Sequence, residues 1–140
     1  MTPILSVPMT VEVPWDVVTN AIVGALEGGY SPWMHAFLPS ESPDSQQALH
    51  NVREEFEGPW YAEEAYWQRG TASLQYDLAD EGEGEGNGSM TIGKDEITKG
   101  LAAMAQKAPR HFADLIGEND DAITHDVFMQ MIVFGETIYG

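Results

Sequence analysis

Four histidines, at positions 35, 50, 111 and 125, are the side chains of this 140-residue chain best suited to moving protons or holding a metal near neutral pH. In HFAD, His111 and Asp114 stand three apart, which puts both on one face of a helix, and His125 is followed directly by Asp126. A metal centre needs several such groups to converge. A His-Asp dipeptide of the phosphohydrolase kind needs further His and Asp ligands in a fixed helical order, and the chain does not show that order. Ordinary surface or buried histidines are therefore expected, with a His/Asp-dependent metal hydrolase as the lesser alternative. No G-x-S-x-G nucleophile elbow occurs. The expectation is a protein without metal, cofactor or catalytic residue, hence not an enzyme.

Other polar groups suit binding better than turnover. Asp126 and Gln130 lie four apart on a segment that is otherwise apolar, so their shared stripe either caps a strand end or hydrogen-bonds a ligand. Arg110 is one of three arginines in an acidic chain and is either salt-bridged or kept for an anion. The stretch GGYSPWMHAF (28–37) gathers Tyr30, Trp33, His35 and Phe37. Trp33 and Phe37 are expected to pack the core from one side of a strand, with Tyr30 and His35 freer to meet a ligand.

Local patterns set the elements that must carry these residues. Thr10–Val13 alternates as a short strand would, ended by Pro14. In DVVTNAIVGALEGG, Val17, Val18, Ala21, Ile22, Ala25 and Leu26 recur at helical spacing, and Gly28-Gly29 supplies the stop. Residues 33–37 read as a strand. Prolines and serines make 39–59 a loop with one short polar helix over Gln46–Phe56, and Trp60–Trp67 is aromatic but mixed. Ser73–Leu78 alternates cleanly, and a glycine-carboxylate turn over 80–88 joins it to Ser89–Ile92 as a hairpin. That turn has neither the ligand frame of a calcium loop nor phosphate-loop spacing, so it reads as solvated. Asp95–Lys107 carries Ile97, Leu101, Met104 and Ala105 as a stripe, PRHFADLIG forms a second short turn or helix, and Asp121 or Thr124 caps the apolar THDVFMQMIVFGE. The order predicts a single α+β domain: a small antiparallel sheet packed by three to four helices.

Charge bounds the partners. With 23 acidic and 6 basic residues the formal net charge is −17. Such a field repels phosphate backbones and acidic membranes and speeds encounter with basic proteins, so direct nucleic-acid binding is not expected. Absence of cysteine rules out disulfides and thiolate metal sites. That absence is compatible with a reducing cytoplasm, and the opening residues show neither an export signal nor a membrane anchor, which predicts a soluble protein.

Three stretches are similar to those of another group of proteins. EGG followed by aromatics around Trp33, then PRHFADLIGENDDAITHDVFMQ, then FGETIYG resemble a family of small acidic proteins encoded by tailed phages and prophages. The likeness covers the first helix and roughly the last 50 residues. Where this chain has EGGYSPWM the family more usually reads EGGSNYWY, and it has glycine in place of His125, so that histidine is not a shared ligand. The resemblance implies a phage origin more than a mechanism; small phage proteins expressed outside the virion often disable host functions by binding, so the expectation is a protein that counters host defence in the host bacterial cytoplasm. One expected mode is sequestration of a small nucleotide-like immune signal, with Tyr30 or Trp33 stacking on a base, Arg110 meeting phosphate, and Asp126 and Gln130 reading polar edges. The alternative is an acidic nucleic-acid mimic that blocks a basic host defence protein of the CRISPR or restriction type. Either mode is compatible with a symmetric homodimer.

Overall fold

The computed structural model describes residues 2–78 and 86–140. Its first regular element is the helix α1, Trp15–Glu27, which starts where Pro14 holds an extended backbone and accepts the Val17 amide at 3.1 Å. Proline suits this position because it donates nothing and its φ is already fixed. Val17, Val18, Ala21, Ile22 and Ala25 are buried along one face, as the spacing predicts. Residues 10–13 form no strand, contrary to the alternation read there; the segment 2–14 has no regular structure.

Gly29, with φ +78°, turns the chain from α1 into the strand β1, Met34–Pro39. Trp33 lies just before β1 rather than within it. Helix α2, Pro43–Glu55, begins three residues earlier than the polar pattern suggested. The cause is Ser42, whose hydroxyl accepts the Ser45 amide at 3.3 Å with Pro43 in the first helical position. A 3-10 turn (Trp60–Ala62) and the one-turn helix α3, Glu64–Trp67, follow. Their rings form a knot against the sheet: Trp60 meets Tyr66 edge-on at 4.6 Å, and Trp67 stacks on Phe37 at 6.2 Å. Both polar tips are satisfied, since Tyr66 donates to the Thr71 carbonyl and Trp67 to that of Tyr61.

Strands β2, Ala72–Leu78, and β3, Gly86–Ile92, complete an antiparallel sheet of order β1-β2-β3. Phe37, Leu74 and Met90 are in register across it, and a bulge lies between Met34 and Ala36. The solvated turn foreseen at 80–88 falls largely outside the described residues, but its last three residues, 86–88, belong to β3.

The C-terminal third is helical, as predicted: α4 (Lys94–Lys107), α5 (Pro109–Ile116) and α6 (Ala122–Phe134). Glu96 folds back to accept the Gly93 amide at 2.7 Å and starts α4. The buried stripe of α4 is Ile97, Gly100 and Met104; Ala105, expected on it, is exposed. Gly100 is where α4 meets α6, because a Cβ there would stand 2.9 Å from the Ile132 Cα. Every residue from Val127 to Ile132 on α6 is buried, which makes this helix the axis of the core. Among the described residues there are thus six α-helices around one three-stranded sheet, a single-domain α+β fold. None of these helices is long and apolar enough to cross a membrane.

Candidate binding cleft

Asp126 occupies one turn of α6 and Gln130 the next, so both side chains leave the helix in the same direction. The Asp126 carboxylate accepts three donors: the Ser31 hydroxyl at 2.5 Å, the Trp33 indole N–H at 2.8 Å and the Gln130 amide at 2.7 Å. It therefore ties the aromatic turn after α1 to α6, across 93 residues of sequence. Gln130 is fully buried at 0% exposure, and its amide is completely used. Its Oε1 accepts the backbone amides of Ile138 and Tyr139 at 2.7 and 2.9 Å, while Nε2 also donates to the Tyr139 carbonyl at 3.1 Å.

The chain reaches that clasp because α6 ends at Gly135, whose φ of +71° reverses it at no steric cost. Tyr139 then lies flat over Trp33, the rings 6.0 Å apart and 10° from parallel, with Phe134 at 5.3 Å on the indole. The Tyr139 hydroxyl donates to the Asp77 carbonyl at 3.1 Å and so reaches the sheet. Burial, and next the charge of Asp77, holds this phenol above its ordinary pKa, so it stays protonated as that donor.

A cleft of about 380 Å³ opens beside this hub. Tyr30, 60% exposed, and Ile123 supply apolar surface; His111, Asp126, Thr137 and Tyr139 supply polar groups. His111 lies 3.5 Å from the Thr124 hydroxyl, which donates to Asp121 at 3.0 Å, and this orients the ring from behind. Asp121 also accepts the Thr124 amide at 2.9 Å as the N-cap of α6. That backbone bond first, and the hydroxyl second, hold its carboxyl below the usual range.

Of the five residues predicted to bind a ligand, Tyr30 and Asp126 line this cleft. Trp33 and Gln130 are inside the protein, beneath it, with their polar atoms bonded internally: they shape the floor. Arg110 is exposed on α5 next to His111, does not line the cleft, and makes no ion pair among the described residues. Four side chains that the sequence does not mark for ligand binding belong to the site. Ser31 and Thr137 carried no distinctive pattern, His111 was weighed only as a metal ligand, and Tyr139 was seen only within FGETIYG. The left-handed Gly135 was the available signal that this last segment folds back.

The adjacent His125 and Asp126 diverge. His125 pairs with the Asp120 carboxylate, and its ring rests on α1 where a Cβ at Gly24 would stand 1.9 Å from Nδ1. Among the described residues no three His, Asp or Glu side chains are grouped to hold a metal ion. A second concavity of about 580 Å³ lies on the polar face of the sheet, lined by His35, Gln75, Asn87, Gly88 and Ser89. His35 is paired with Asp77 there, and none of these lining residues is Phe, Tyr or Trp. The cleft at Tyr30 combines an exposed ring, apolar wall and oriented polar groups. Compared with protein-family models, curated proteins and solved structures, the chain matches none.

Proposed function

We propose that this is a non-enzymatic binding protein that encloses a small ligand with a planar, nucleobase-like ring in the cleft between Tyr30, His111 and Thr137. One observation carries the reading: an exposed aromatic ring stands at the mouth of a cleft whose floor is fixed by the Trp33–Asp126–Gln130–Tyr139 network. A fixed floor lowers the ordering cost of binding. Asp126, the one acidic side chain among the described residues that line the cleft, is already bonded to three donors, which favours holding a ligand over transforming one. Tyr30 offers its face to the ring, and His111 and Thr137 offer donors and acceptors to its edge. Arg110, at the next position on α5, is the cation nearest in sequence to the cleft for a phosphate that projects outward.

In this reading the protein acts in a bacterial cytoplasm as a phage-encoded sponge for a nucleotide immune signal. The three stretches that carry the phage-protein resemblance meet here: Tyr30 and Trp33 from the first, His111 and Asp126 from the second, Thr137 and Tyr139 from the third. Nucleic-acid mimicry is favoured by a different observation, the net charge of −17. Native mass spectrometry of protein drawn from defence-active cells, before and after denaturation, separates the two. Sequestration predicts a released small molecule with nucleotide-like absorbance; retention of a basic protein instead would replace this reading with mimicry.

A further inference from the structure

The first eleven residues contain no ionisable side chain, and from 5 to 13 they alternate without a break: Leu5, Val7, Met9, Val11 and Val13 against Ser6, Pro8, Thr10 and Glu12. That is the pattern of a strand with one covered and one wet face, yet the segment belongs to no sheet. Leu5, Val7 and Met9 are 93%, 73% and 81% exposed. Where the arm touches its own body the fit is loose: Met9, Val11 and Val13 leave about 480 Å³ between themselves and Leu101 and Phe112.

The sheet has a vacancy of matching character. Among the described residues β3 is an edge strand of seven residues, without proline or bulge, that pairs only with β2. One of its faces is polar, with Asn87, Ser89 and Thr91 exposed, and the other carries Met90 and the buried Ile92. The other edge is less suited, since β1 has a bulge and ends in Pro39.

We propose that residues 4–11 add as a fourth strand to the outer edge of β3 in a second copy, reciprocally, so that two chains form an arm-exchanged dimer. Leu5, Val7, Met9 and Val11 extend the row of Met90 and Ile92; Ser6 and Thr10 extend the row of Ser89 and Thr91. Backbone groups of alternate residues point to opposite edges of a strand. With Leu5, Val7 and Met9 turned to β3, Pro8 faces away and blunts the new edge, which stops the assembly at two. The uncharged arm brings no like charge onto an acidic partner. Two such arms cover on the order of 1,000 Å², the lower bound for a specific interface.

Sedimentation of the full chain tests this, with a mass of twice 15.4 kDa expected. The double variant Val7→Asp, Met9→Asp changes two exposed positions, so at a concentration where both chains are monomeric its circular dichroism and melting should match the parent, while its dimer dissociation constant rises about 100-fold or more. Hydrogen exchange in the dimer should slow at the amides of Leu5, Val7, Met9 and Val11 and stay fast at Ser6 and Thr10. A chain that stays monomeric to millimolar concentration overturns the proposal, as does a dimer indifferent to the double variant or an arm protected within a monomer.

Discussion

Gln130 holds the backbone of Tyr139 as a strand would, accepting its amide at 2.9 Å and donating to its carbonyl at 3.1 Å. A side chain on the central helix thus does the work of a missing sheet neighbour for the last residues of the chain. The ring of Tyr139 can then cover Trp33, and the floor of the cleft depends on that cover.

Replacing Gln130 with alanine removes the partners of two backbone amides and one carbonyl and leaves Asp126 one donor short. The expected cost is about 3 kcal/mol, since each buried group left unpaired costs about 1–3 kcal/mol. Urea denaturation measures it, and amide exchange at Ile138 and Tyr139 should approach that of a free chain. Gln130→Glu should be no milder, because it sets a carboxylate against Asp126 and a carbonyl.

Gly100→Ala is expected to destabilise the fold by about 1–3 kcal/mol although alanine is the better helix former. Its new Cβ would meet the Ile132 backbone nitrogen at 3.0 Å as well as Cα at 2.9 Å, and backbone cannot rotate aside. Thermal melting of the variant checks this. A gain in stability would show that α4 and α6 are spaced further apart than described.

Asp121 gives a pH dependence whose sign follows from its bonds. Its folded-state pKa lies below the ordinary 3.8, so the capped form is favoured above that value. The contribution is lost as the pH falls from 3.8 through the lower folded value, where the carboxylate protonates. Asparagine caps a helix without titrating. The stability difference between Asp121→Asn and the parent should therefore narrow as a melting series runs down through that range.

Much of the fold was legible because burial leaves a period. α1, β2 and the C-terminal helices announced themselves through residues such as Val18, Ile22 and Leu74, all buried where the spacing put them. The arm misled for a physical reason: alternation records what a segment could pair with, and among the described residues of one chain no strand pairs with it. Of the site, Tyr30 and Asp126 were visible as polar or aromatic groups out of place. Trp33 and Gln130 looked similar in sequence but had partners 93 and 9 residues away, which spacing cannot reveal. His111 enters the cleft only because α5 packs beside α6, a relation of tertiary structure.

The central claim is that the cleft at Tyr30 takes a nucleobase-like ligand. The most direct measurement is a titration of isotope-labelled protein with adenine and guanine nucleotides, linear and cyclic, followed by amide and side-chain resonances of the parent and of Tyr30→Ala. With Tyr30 60% exposed, the variant should fold as the parent does. Saturable shifts are expected at Tyr30, His111, Thr137 and Tyr139, weakened about tenfold or more in Tyr30→Ala by loss of a stacking contact. No shift with any nucleotide at millimolar concentration, or shifts that Tyr30→Ala leaves unchanged, would contradict the account.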